Sequence, residues 1–235
     1  MAFVDMAGFT ALTEAHGDLE AVTLVDRFEE LLAHHLPPEG RLVKVVGDAG
    51  LLVFSDAQWA VTGVVQIVRD AANLHQFPEL RAGIHHGPIT WRRGDPYGAT
   101  VNVASRIAGA AAGSQILISG EVADRLPLHV ANPVGRRRFH NVSEEMELFE
   151  IPSGATDSDI DPVCQMRLSS EQAVATIRHD DKLWHLCSLA CAQRFVANPA
   201  VYVEQAARPP RPPGTQPDGA ATNARRDRTR PNRRP

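Results

Sequence analysis

Six side chains in the first half of this 235-residue chain have types and spacings suited to phosphate chemistry. Asp5 closes the first apolar run, Ala2-Phe3-Val4. Asp48 ends the run Lys44-Val45-Val46-Gly47-Asp48, where Gly-Asp between two apolar segments signals a β-hairpin. Carboxylates at the ends of two neighbouring strands are what a magnesium-nucleotide site needs. Lys44 lies four residues before Asp48, and Asp95 sits in the turn cluster Gly94-Asp95-Pro96-Tyr97-Gly98. Asn102 and Arg106, spaced i, i+4, share one helix face. A guanidinium placed at phosphorus stabilises charge that builds only in flight. The turn Gly8-Phe9-Thr10 opens a helix, and its backbone N–H groups are suited to cradle phosphates.

These groups need a sheet to hold them. Residues 1–5 read as a strand. A helical pattern begins at Thr10, breaks near His16-Gly17-Asp18 and ends at Pro37-Pro38. Residues 41–46 and 50–55 form the hairpin around Asp48, and residues 57–75 an amphipathic helix. A strand at 80–84 is closed by His85-His86-Gly87-Pro88, whose two histidines read as structural, and another begins at 89–91. A helix over about 100–112 stops at Gly113, a strand follows at 116–118, and 121–125 is a short helical piece. Closing strands fall at 134–139, whose Arg136-Arg137-Arg138 reads as a solvated edge, and at 147–151. The order β-α-β-β-α-β with a C-terminal extension predicts an α+β, ferredoxin-like layout, one sheet with helices on one face.

Composition bounds the partners. The chain is 43% apolar, as in a globular protein, with a net charge of −4. Residues 208–235 hold eight Arg and two Asp, so the tail is +6 and the body −10. An acidic body argues against nucleic acid as the partner of the folded part. No stretch resembles a signal peptide or a membrane span, which predicts a cytoplasmic protein. Only Lys44 and Lys182 are lysines among 24 basic residues, so a chain that prefers Arg has kept Lys at position 44.

Three segments in order, Phe3-Val-Asp-Met-Ala-Gly-Phe-Thr10, Lys44-Val-Val-Gly-Asp48 and Asp95-Pro-Tyr-Gly-Ala-Thr-Val-Asn-Val-Ala-Ser-Arg106, resemble the catalytic domain of class III nucleotide cyclases over residues 1–152. The resemblance implies that Asp5 and Asp48 bind two Mg²⁺ or Mn²⁺ ions. It implies that Lys44 and Asp95 read the purine, Asn102 orients the ribose and Arg106 stabilises the transition state. A Lys donor and an Asp acceptor match the N1 and N6 edge of adenine, which favours ATP over GTP. The family's site lies at a head-to-tail dimer interface, and all six residues are in this one chain. A homodimer would therefore build two equivalent sites and a monomer none. The first strand of this family usually begins earlier, so the strand ending at Asp5 is expected to lack half its ladder. That points to a start upstream of Met1; a native N-terminal peptide beginning at residue 1 or 2 would exclude it.

Residues 153–160 read as a polar linker. Asp161-Pro-Val-Cys164-Gln-Met166, Trp184-His-Leu-Cys187-Ser-Leu-Ala-Cys191 and Phe195-Val-Ala-Asn-Pro199 with Tyr202 resemble a YHS domain, a small treble-clef-like, metal-associated module over 161–205. A β-hairpin is expected over about 174–187 and a helix from near Ser188. An odd set of three cysteines without an export signal reads as metal-binding or reduced thiols. Cys164, Cys187 and Cys191 suit Zn²⁺ or Cu⁺, with His185 or a water as fourth ligand. Residues 206–235, rich in Pro and Arg, are expected to be disordered. The chain is thus expected to be a homodimeric adenylate cyclase, possible regulation coming from metal at the Cys module. The alternatives are a catalytically silent nucleotide-binding or dimerisation module, a metal-sensing protein, and a guanylate cyclase.

Overall fold

A computed structural model describes residues 1–140, 142, 144–154 and 159–207. Its elements in chain order are β1 (Ala2–Met6), α1 (Phe9–His16), α2 (Asp18–His34), β2 (Gly40–Val46), β3 (Ala49–Phe54), α3 (Ala57–Ala71), β4 (Phe77–Pro78), β5 (Leu80–Ile84), β6 (Thr90–Arg92) and β7 (Asp95–Tyr97). Then follow α4 (Ala99–Ala110), β8 (Ile116–Ser119), α5 (Gly120–Ala123), β9 (Asn132–Arg137) and β10 (Met146–Ile151). The C-terminal part holds β11 (Asp159–Ile160), β12 (Met166–Leu168), β13 (Ala175–His179), β14 (Lys182–Leu186), α6 (Leu189–Ala197) and α7 (Pro199–Ala207).

The main sheet runs β2-β3-β1-β5-β8-β10-β9. Its first four strands have the ferredoxin-like order, and β8, β10 and β9 extend it. All pairs are antiparallel except β5 with β8. β1 lies at the centre, and its alternation is the reason: Ala2, Val4 and Met6 are wholly buried on one face, leaving Phe3 and Asp5 for the other.

Two expectations need correction. β1 was expected to lack half its ladder, yet all five of its residues pair with β5 and four pair with β3. Met1 continues the ladder, its carbonyl accepting from the His85 N–H at 3.0 Å. Helices were expected on one face only. Instead α2 and α3 pack on the face of Ala2, Val4 and Ala82, while α4 lies across the other. Gly83 makes that second layer possible. A Cβ there would fall 2.1 Å from the Ala108 nitrogen, so α4 approaches only because residue 83 has no side chain.

The chain after β10 does not stand apart from this body. The expected linker ends in β11, residues 155–158 lying outside the described residues. β12 pairs with both β11 and β4 of the first part. Cys164, Trp184, Leu186 and Phe195 share one hydrophobic core with Phe28, Phe77 and Leu80. The hairpin β13–β14 and helix α6 fall where the sequence placed them, with Ser188 capping α6 through the Cys191 N–H at 3.1 Å. Of the tail expected to be disordered, Ala206 and Ala207 complete α7, and 208–235 lie outside the described residues. No helix among the described residues is long and apolar enough to cross a membrane.

Candidate active site

Asp5 is the penultimate residue of β1 and stands opposite Ala49 in β3 and Arg81 in β5. Asp48 occupies the two-residue tip between β2 and β3. Gly47 precedes it at φ 61°, a left-handed conformation that costs glycine little. The Met6 N–H donates to the Asp48 carbonyl at 3.0 Å, which fixes the tip against the end of β1. Arg81, which the sequence reading missed, grips one oxygen of Asp5: Nε and Nη2 lie 2.7 and 2.5 Å from Oδ2. An arginine inside the apolar run Leu80–Ile84 was the available signal. Asp5 is 15% exposed, and burial, aided by the Asp48 charge, raises its pKa to about 6 against the pull of Arg81. The fold therefore holds two carboxylates side by side in a partly dry site, where a cation would offset their repulsion.

Lys44 lies on the same face. It pairs with Leu51, which pairs with Phe3, so its side chain projects with Phe3, Asp5 and Arg81 toward the α4 side. Its Nζ is 2.8 Å from Oδ1 of Asp95, which begins β7. The hairpin β6–β7 is held against β2 by Arg41, whose guanidinium stacks 5.2 Å from the Trp91 ring centre. Both members of the Lys44–Asp95 pair are about two-fifths exposed, so the pair contributes under about 1 kcal/mol and is readily reorganised around a ligand.

Asn102 and Arg106 project from the outer face of α4, opposite the buried Val103, Ala104, Ile107 and Ala108. Among the described residues neither side chain has a hydrogen bond or ion pair. The structure thus unites Asp5 with Asp48, and Lys44 with Asp95, while Asn102 and Arg106 face solvent.

Gly8 caps α1 at φ 74° with no side-chain acceptor on the first-turn N–H groups. Thr10 is exposed and Phe9 partly buried. Gln165 covers the turn: a Cβ on Gly8 would lie 2.3 Å from the Gln165 Cβ. Gly8→Ala combines that clash with a left-handed backbone. It should cost about 2–4 kcal/mol, readable as a lower denaturation midpoint at unchanged m-value.

The cysteine region differs from expectation at its fourth group. His185 is directed elsewhere, its Nδ1 2.5 Å from Asp159 Oδ2. His16, the last residue of α1, takes its place: its Nε2 is 3.6 Å from Cys187 Sγ and 3.7 Å from Cys191 Sγ. All three thiols are free and buried. Thiol protons donated by Cys164 and Cys187 draw the Cys191 thiol far below its ordinary value. His85 plays the structural part expected of it, its Nδ1 lying 2.8 Å from Ser119 Oγ.

Comparison with known proteins bears on the family and the fold. The family model described as "Adenylate and Guanylate cyclase catalytic domain" matches residues 1–149. The chain is 33% identical over 165 residues to the "pH-sensitive adenylate cyclase MT1302" of Mycobacterium tuberculosis, covering 66% of this chain and 41% of that protein. It is 38% identical over 125 residues to an "Adenylate cyclase" of Streptomyces coelicolor, covering 53% and 33%. The chain thus spans well under half the length of these curated relatives. Among solved structures, the adenylyl cyclase CyaB from P. aeruginosa superposes with a TM-score of 0.54 at 20% identity, covering 67% of this chain and 92% of that one. The guanylyl cyclase Cya2 superposes at 0.53 and 21%, covering 64% and 89%. These two likenesses bear on the fold, and the matched family model settles membership: the chain belongs to the adenylate/guanylate cyclase catalytic-domain family.

Proposed function

We propose that the chain is an adenylate cyclase, converting ATP to 3′,5′-cyclic AMP and pyrophosphate in a homodimer. The observation that carries this reading is the Lys44–Asp95 pair at 2.8 Å, on the same sheet face as Asp5. Lys44 donates to adenine N1 and Asp95 accepts from the N6 amino group. Guanine presents an N1–H donor and an O6 acceptor, which oppose both. The curated relatives named adenylate cyclases support the same substrate.

The paired carboxylates of Asp5 and Asp48 fit hard divalent cations by donor type, and the raised pKa of Asp5 marks charge that a cation would neutralise. Two Mg²⁺ or Mn²⁺ ions bound there would supply Lewis acidity toward the ribose 3′-hydroxyl and the phosphates. Arg81 counters part of the effect of burial on Asp5 and fixes one of its oxygens. The N–H groups of the Gly8-Phe9-Thr10 turn face the triphosphate. Asn102 orients the ribose and Arg106 meets the charge developing at the α-phosphate. Among the described residues of one protomer these two lack partners. A second copy placed head to tail would lay them over the first copy's carboxylates, so each site is shared.

The test incubates purified protein with ATP or GTP and Mg²⁺ or Mn²⁺, and identifies the product by chromatography. Cyclic AMP from ATP is expected, and Lys44→Glu should lower kcat/KM for ATP on the order of 10²-fold. Cyclic GTP as the preferred product, or no cyclic product with either nucleotide, would sink the reading; the second outcome would favour a silent nucleotide-binding module.

A further inference from the structure

We propose that His16, Cys164, Cys187 and Cys191 form a closed, tetrahedral Zn²⁺ site that ties the cysteine region to helix α1 of the cyclase body. The four ligand atoms lie within 4.8 Å of one another. Their edges are the quantitative point. A tetrahedron with Zn–S of about 2.3 Å and Zn–N of about 2.0–2.1 Å has S···S edges of about 3.8 Å and S···N edges of about 3.6 Å. The observed S···S separations are 3.4 Å (Cys164–Cys187) and 3.7 Å (Cys187–Cys191). The S···N separations are 3.6 and 3.7 Å. The other two edges, from Cys164 to Cys191 and to His16, lie within 4.8 Å, and a packing coincidence of buried thiols gives no reason for an imidazole nitrogen to join them.

The surroundings are built for it. Asp161, wholly buried, accepts from the N–H groups of Val163 at 2.8 Å and Cys164 at 3.3 Å through one oxygen, and from Cys187 at 2.7 Å through the other. One carboxylate thereby sets the backbone of two ligand-bearing segments, as outer partners of metal ligands do. Ser188 does the same for Cys191. Three thiolates and one imidazole, all from protein and with the sulfurs buried, leave no open coordination position, which marks a structural rather than a catalytic zinc. Binding expels thiol protons, one for each thiol still protonated.

The placement has a consequence. His16 is the C-terminal residue of α1, whereas Gln165, next to the ligand Cys164, lies on Gly8 at its N-terminus. One ion would therefore clamp both ends of the helix that opens with the Gly8-Phe9-Thr10 turn. Arg194, which donates to the Glu14 carbonyl at 2.8 Å, adds a third tie. This coupling rests on the cyclase reading; the metal site does not.

The experiment measures zinc in the purified, reduced 235-residue chain and exchanges it for Co²⁺, whose spectrum reports thiolate ligation. One zinc per chain and thiolate-to-cobalt charge-transfer bands are expected. His16→Gln should weaken zinc retention on the order of 100-fold or more and shift the cobalt ligand-field bands. His185→Gln should leave both unchanged. X-ray absorption of the wild-type zinc protein should give three sulfurs and one nitrogen, a readout that stands even if His16→Gln fails to fold. Absence of bound zinc, an unchanged spectrum in His16→Gln, or a shell of other composition would overturn the site. If zinc binds as described but its removal at fixed Mg²⁺ leaves turnover unchanged, the clamp on α1 is overturned.

Discussion

Replacing Arg106 by alanine is expected to lower kcat for ATP cyclisation by ~10³-fold or more while changing KM only a few-fold. The direction follows from where the charge is. Before reaction the negative charge resides on triphosphate oxygens, which the proposed function assigns to the Gly8 turn and to metal ions that Asp5 and Asp48 would hold. In flight it builds at the α-phosphate, and only a cation placed there gains contact as the barrier is climbed. Arg106 is suited because it spends nothing on its own protomer: its side chain has no partner among the described residues. Replacing it should also leave the fold intact, since it is exposed on α4 while Ile107 and Ala108 carry the packing. A variant that lost stability along with activity, or one whose KM rose with kcat unchanged, would show Arg106 to be a binding or structural group.

The second large effect concerns Asp5, where function and stability oppose each other. Its ordinary pKa of 3.8 is raised to about 6 in the folded chain by burial and by Asp48. Between those values the native state binds a proton that the unfolded chain has lost, so this group makes folding less favourable as pH rises. Its contribution is nil below about pH 4 and reaches about 3 kcal/mol of destabilisation above pH 6. Asp5→Asn mimics the protonated form. It should abolish turnover, yet at pH 8 without added divalent cation it should be more stable than wild type by up to about 3 kcal/mol, the difference vanishing near pH 4. Added Mg²⁺ should stabilise wild type and not Asp5→Asn. Denaturant titrations at the two pH values check this. Equal stability at pH 8 would mean that Arg81 fully compensates the buried charge.

The ferredoxin-like half of the sheet was legible because its strands alternate cleanly, as in Ala2, Val4 and Met6 against Phe3 and Asp5. The hairpin tip was legible from Gly47-Asp48 between apolar runs. The second helical layer was not, because it depends on Gly83 admitting α4, and a glycine inside a strand does not announce which helix it receives. Lys44 and Asp95 were paired in advance through family resemblance alone; 51 residues separate them, and no local pattern links them. Arg81 was hidden for a different reason. Its role arises from standing opposite Asp5 across a strand pair, a matter of register. His16 was read as a helix break, which it is, since Gly17 follows at φ 86°. That the same residue meets Cys187 and Cys191, 171 and 175 positions later, is a tertiary fact with no trace in local sequence.

The central claim is a shared site, with Asp5 and Asp48 from one copy and Arg106 from the other. It is tested most directly by mixing two inactive proteins. Asp48→Ala retains Arg106, and Arg106→Ala retains Asp48. Co-refolded in equal amounts, half of the dimers should be mixed, and each mixed dimer holds one intact site. The mixture should therefore regain about a quarter of wild-type cyclic AMP formation, although each variant alone is silent. A mixture as inactive as its components, with mixed dimers demonstrated to form, would contradict the account.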